Sequence, residues 1–141
     1  MRVVGLDVGE RRIGVAVSDP TRTLARPLGV VATSGLARDA LDRIAGEIGR
    51  LAAEDDGVAA LVIGLPRRLD GSANEMTPKV EAFAVRLGVR TGLPVSLQDE
   101  RLSSREAESR LALREKDWRV RKQRLDAAAA AVILQDYLDT H

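Results

Sequence analysis

The chain has 141 residues, 45% hydrophobic and 30% charged, which suits one globular domain with a real core rather than a disordered segment. It has no cysteine, and its single histidine is His141, the last residue, so thiol and imidazole catalysis and ordinary zinc ligation are excluded as expectations. The formal net charge is +1, yet residues 101–125 carry nine basic and four acidic side chains, a local +5 that suggests a polyanionic partner.

The first element is Val3-Val4-Gly5-Leu6-Asp7-Val8-Gly9, an apolar run of strand length with a carboxylate set inside it. An ionised Asp in a buried strand costs several kcal/mol unless a partner charge or a metal compensates it. The simpler reading of Asp7 is a strand-ending turn residue, and the run alone does not separate the two. Gly9 to Arg12 reads as a tight turn, Ile13 to Ser18 as the second strand of a hairpin, and Pro27 to Ala32 as a third strand. Leu36, Ala40, Leu41, Ile44, Ile48 and Leu51 recur at helical spacing. Val58 to Leu65 is wholly apolar and reads as a central parallel strand.

A polar loop follows from Arg67 to Met76. The next helix starts either at the capping-box spacing of Ser72 and Glu75 or at Thr77-Pro78, with Val80, Phe83, Ala84 and Leu87 on one side. Pro94 to Gln98 reads as a fifth strand ending in Asp99-Glu100-Arg101. Ser103 and Glu106 open a helix to about Leu113, residues 114–121 read as a mobile charged loop containing Trp118, and a last helix runs from Lys122 to Tyr137. The layout is α/β: a mixed five-stranded sheet flanked by helices. No run approaches the roughly 20 apolar residues of a membrane span, and the start carries no signal-peptide pattern. The expected setting is the cytoplasm, without a membrane partner, as a monomer or homodimer.

Three carboxylates stand in apolar contexts: Asp7 in the first strand, Glu100 past the end of the fifth, and Asp126 at the head of an apolar helix. Converging carboxylates repel, and a hard divalent cation with oxygen-only ligands, Mg²⁺ or Mn²⁺, reverses that cost. Two such ions promote phosphodiester hydrolysis without His or Cys. Asp126 alternatively pairs with Lys122 along its helix, and Glu100 with Arg101. Arg11, Arg12, Arg67, Arg68, Ser72, Lys79, Arg101, Arg119, Arg121 and Lys122 are candidate nucleic-acid contacts. Trp118 is either a stacking platform for an unpaired base or a packing anchor.

Asp7-Val8-Gly9-Glu10-Arg11-Arg12-Ile13-Gly14-Val15-Ala16-Val17-Ser18-Asp19 resembles the opening signature of the RuvX/YqgF family. So do Ile63-Gly64-Leu65-Pro66, Asp70-Gly71-Ser72, Asp99-Glu100-Arg101-Leu102-Ser103-Ser104, and Lys122 through Asp126 to Ile133-Leu134-Gln135. The likeness covers nearly the whole chain in order, and Arg12 fits a position where members commonly have Lys or Arg. It implies one RNase H-like nuclease domain over residues 1–141, the fold of Holliday-junction resolvases, in a family described as pre-16S rRNA nucleases. It implies that Asp7, Glu100 and Asp126 are the metal ligands and that pre-rRNA or branched DNA is the partner. A DNA junction resolvase is the nearest rival reading. An actin-like or sugar-kinase ATPase begins with a similar Asp-x-Gly hairpin but needs two such domains, and a non-catalytic RNA-binding module would leave the acids without a purpose.

Overall fold

The computed structural model describes residues 1–36, 38–68, 70–99 and 118–141, with side chains in the last helix described from Ala127 onward. The elements are β1 (Arg2–Val8), β2 (Arg12–Ser18), β3 (Ala25–Ala32), α1 (Arg38–Ala52), β4 (Val58–Leu65), α2 (Thr77–Thr91), β5 (Val95–Asp99) and α3 (Trp118–Thr140). The strands form one sheet in the order β3-β2-β1-β4-β5. β2 is antiparallel to β1 and β3, while β4 is parallel to β1 and β5. The carboxyl ends of β1, β4 and β5 therefore share one edge of the molecule.

Alternation along the strands sends two sets of side chains to opposite faces. Val4, Leu6, Val8, Ile13, Val15, Leu61 and Ile63 join Ile44 and Ile48 of α1 and Phe83 and Leu87 of α2 in one large cluster. Val3, Ala16 and Val62 point the other way, onto Ala130, Ile133 and Leu134 of α3. With both faces of β1 covered, its apolar run is what a central strand requires. Arg2 is buried just before that run. Its guanidinium donates to Leu51 O at 3.0 Å, Gly57 O at 3.2 Å and Glu54 Oε1 at 2.9 Å, closing the end of α1 onto the start of β4. Among the described residues, no helix is long and apolar enough to cross a membrane.

Two expectations change, and one open choice is decided. β3 begins at Ala25 rather than Pro27, pairing Ala25 with Ser18 and Arg26 with Val17; as an edge strand it accommodates the proline. α2 starts at Thr77-Pro78, not at Ser72. The Ser72 hydroxyl donates to Asp70 Oδ1 at 2.6 Å, whereas Asn74 Oδ1 accepts from Met76 N at 2.9 Å and Thr77 N at 3.0 Å. The last helix begins at Trp118, so residues 118–121 are helical rather than loop. Arg and Lys are good helix formers, and a dense run of charge does not break a helix. The helix expected from Ser103 to Leu113 and the rest of the charged loop lie outside the described residues.

Candidate active site

Asp7 is on the α3 face of the sheet, two residues beyond Gly5 and four beyond Val3, and is partly buried. Directly paired strand residues point to the same side, so Gly14, the β2 partner of Asp7, shares that face. On the other flank Leu6 pairs with Ile63, which sets Gly64 next in register beside Asp7; Gly64 in turn pairs with Gln98 of β5. The carboxylate thus stands between two residues without side chains.

The position of α3 follows from its contacts. Ala130 and Leu134 lie against Gly5. Farther along, Gln135 bonds Ala25 N and Thr23 O at 2.9 Å each. Ala25 pairs with Ser18, whose hydroxyl accepts from Val3 N at 2.8 Å, so Gln135 lies at the amino end of β1. The helix therefore runs antiparallel to β1, and position 126, one turn before Ala130, lies toward the carboxyl end where Asp7 stands. Alternation in β5 assigns Ser96 and Gln98 to the same face as Asp7. Glu100 is the residue after the last one of that strand and lies outside the described residues, as does the side chain of Asp126. Among the described residues no group of three acidic or histidine side chains stands together, Asp7 being the one candidate ligand whose side chain is described. What is described fits a hard cation in two respects: Asp7 offers an oxygen donor, and it stands near the strand ends where α/β sheets hold their ligands.

The turn joining β1 to β2 carries Arg11, exposed, and Arg12, which alternates onto the same face as Gly14 and hence Asp7. That turn is braced from below. Gly9 N donates to Arg12 O at 2.9 Å, Thr33 N to Arg11 O at 2.8 Å, and Gly35 N to Glu10 O at 2.6 Å. Lys79 Nζ, near the start of α2, adds a bond to Glu10 Oε1 at 2.7 Å. That hydrogen bond, then the lysine charge, holds the Glu10 carboxyl below the ordinary glutamate range, and the same pairing raises the Lys79 ammonium. Lys79 thus serves as a brace as well as a candidate phosphate contact.

Arg67 and Arg68 are exposed on the loop leaving β4, which folds back through an Arg67–Ala73 bridge and an Arg68 N to Ser72 O bond of 2.9 Å. Ser72 has its hydroxyl committed to Asp70. Arg119, Arg121 and Lys122 fall near the start of α3, their side chains outside the described residues along with Arg101. Reading the sequence alone did not single out Gly14, Gly64 or Gln98. Two glycines inside otherwise apolar strands were the available signal, since strand glycines mark close approach or needed room.

Comparisons with known proteins agree with this architecture. Residues 1–140 match the family model RuvX, described as Holliday junction resolvase. A protein of Pelotomaculum thermopropionicum is 39% identical over 140 residues, covering 99% of this chain and 88% of its own. One of Anaeromyxobacter dehalogenans strain 2CP-C is 45% identical over 139 residues, covering 99% and 97%. Both carry the name "Putative pre-16S rRNA nuclease". Among solved structures, Thermus thermophilus RuvC in complex with a Holliday junction substrate superposes with a TM-score of 0.55 at 19% identity, covering 99% of this chain and 94% of that one. At that identity the likeness speaks for the fold, which is RNase H-like with a mixed five-stranded sheet. Matched from residue 1 to residue 140, the chain belongs to the RuvX family.

Proposed function

We propose that this protein is a metal-dependent endonuclease that hydrolyses phosphodiester bonds in structured nucleic acid, and that its task is processing the 5′ end of pre-16S rRNA in the cytoplasm. The observation that carries this reading is Asp7. A carboxylate stands on the α3 face between Gly14 and Gly64, at the strand ends toward which α3 brings position 126.

In this reading Asp7, Glu100 and Asp126 hold Mg²⁺ or Mn²⁺. When bound, such ions activate a water and stabilise the leaving oxygen. The chain's own contribution is placement. β1 holds Asp7 rigidly in the sheet, the braced turn presents Arg11 and Arg12 to a phosphate backbone, and Arg67, Arg68 and Lys79 extend that basic surface. The names of the relatives favour rRNA, while the description of the family model favours a four-way DNA junction as the second reading.

The deciding experiment offers a precursor 16S rRNA and a four-way DNA junction side by side, with Mg²⁺ and with EDTA. Cleavage of the RNA that needs Mg²⁺ and stops in EDTA is expected. Preferential cutting of the junction would transfer the assignment to DNA, and full activity in EDTA would overturn the metal reading.

A further inference from the structure

We infer that Gly5 and Gln135 are positioning residues for the metal centre: Gly5 sets how closely α3 lies on the sheet, and Gln135 sets its register along it. Together they determine the spacing between positions 7 and 126. The inference rests on the proposed reading of Asp7 and Asp126 as metal ligands.

Gly5 marks a point of very close approach between α3 and β1. A Cβ at Gly5 would lie 2.7 Å from Leu134 Cβ and 3.2 Å from Ala130 O. Neither atom can swing aside, because one is a backbone oxygen and the other is fixed to the helix backbone. Any side chain at position 5 therefore lifts the helix or shifts the strand. The geometry makes that lift matter at the site. Asp7 is two strand residues beyond Gly5, about 6.6 Å away, and position 126 is one turn before Ala130, about 6 Å away. Strand and helix leave this contact in the same direction by nearly the same distance, so separation here carries through to the carboxylates.

Gln135 supplies the second coordinate. Its Oε1 accepts from Ala25 N and its Nε2 donates to Thr23 O, both at 2.9 Å, so the side-chain amide occupies a donor and an acceptor at the start of β3. A slide of α3 along its axis breaks both bonds. From Gln135 to position 126 is nine residues of continuous helix, about 13 Å, with no proline to absorb a shift. Packing alone would seat the helix, but the alanine-rich stretch from Ala127 to Ala131 offers little relief to mark one register from the next.

The test measures Mn²⁺ binding to the full-length protein by electron paramagnetic resonance without substrate, alongside circular dichroism on heating. Gln135→Met keeps the size and helix preference of the side chain and removes both bonds; Gln135→Ala also removes the stem. Both are expected to fold cooperatively and to bind Mn²⁺ about tenfold more weakly, the lower end of what losing a ligand-orienting contact costs. Gly5→Ala is expected to weaken binding further, and if it fails to fold the Gln135 pair decides. Asp7→Asn runs in parallel and is expected to abolish binding. Wild-type Mn²⁺ affinity in both Gln135 variants, with binding lost in Asp7→Asn, would overturn the positioning role and leave the metal reading intact. Wild-type affinity in Asp7→Asn would overturn the metal reading and this inference with it.

Discussion

The two faces of the sheet are built from different materials. Toward α1 and α2 the strands present Val, Leu and Ile, met by Ile44, Ile48, Phe83 and Leu87. Toward α3 they present Val3, Gly5, Asp7, Gly14, Ala16, Val62 and Gly64, met by alanines, Ile133 and Leu134. The first face buries large side chains and holds most of the apolar surface that stabilises the fold. The second trades volume for proximity: small residues let one helix lie close at Gly5, and farther along the same face the carboxylate of Asp7 is flanked by Gly14 and Gly64 in the strand register. The large apolar cluster and the carboxylate of Asp7 thus lie on opposite sides of the same strands.

Substitutions on each face sharpen that division. Asp7→Asn, on the thin face, is expected to reduce cleavage of the preferred substrate about a thousandfold or more while the denaturation midpoint of the metal-free protein stays level or rises. In the proposed site three carboxylates converge, and removing one charge there relieves repulsion. If Asp7→Asn instead unfolds the chain, Asp7 is a structural partner and the division fails. On the thick face Phe83→Ala is expected to cost about 3–5 kcal/mol in urea unfolding, with turnover per folded molecule unchanged. Phe83 is only 1% exposed and lies in the cluster facing away from Asp7. Smaller in stability but mixed in effect, Ala130→Leu should cost about 1–3 kcal/mol by overpacking. It should also lower turnover beyond the loss of folded protein, because the helix is pushed off Gly5. An Ala130→Leu protein with full turnover per folded molecule would show that the thin face tolerates separation.

Much of this was legible before the structure. β1 and β4 are short apolar runs bounded by glycine, proline or charge. α1 and the buried side of α2 follow from helical spacing, since Ala40, Ile44, Ile48 and Leu51 are buried as the period requires. Asp7 was visible because a carboxylate inside such a run is costly. Its surroundings were not, because Gly14 and Gly64 become its neighbours only through strand pairing, which one sequence does not encode locally. The start of α2 was ambiguous for a related reason. Ser72 and Glu75 have capping spacing, but Ser72 is engaged by Asp70, and the choice between two local partners is made by the loop's fold. Charge misled at residues 118–121, where side chains that suggested a loop are also good helix formers. Arg2 drew no reading from the sequence, because the three carbonyl and carboxylate partners that bury it come from 49 to 55 residues away.

The smallest expected effect belongs to the strap that joins the two sides, Glu10 on the turn beyond β1 to Lys79 at the start of α2. Both side chains are about half exposed, so solvent and salt screen the pair and its contribution is modest. Its signature is in pH rather than size. The bond with Lys79, followed by the lysine charge, holds Glu10 below its unfolded value, so the stabilisation is present above the ordinary glutamate range. It is lost as pH falls through the depressed folded value. Lys79 is raised by the same contact, so its share is present below the ordinary lysine range and is lost as pH rises through the elevated value. Glu10→Gln should therefore melt slightly below wild type at neutral pH, with the gap shrinking as pH falls from 7 toward about 3 and also in about 1 M salt. Lys79→Met should show a similar neutral gap that closes at high pH. A gap in Glu10→Gln that ignores both pH and salt would mean that the Glu10 side chain acts through its fit in the turn, not through its charge.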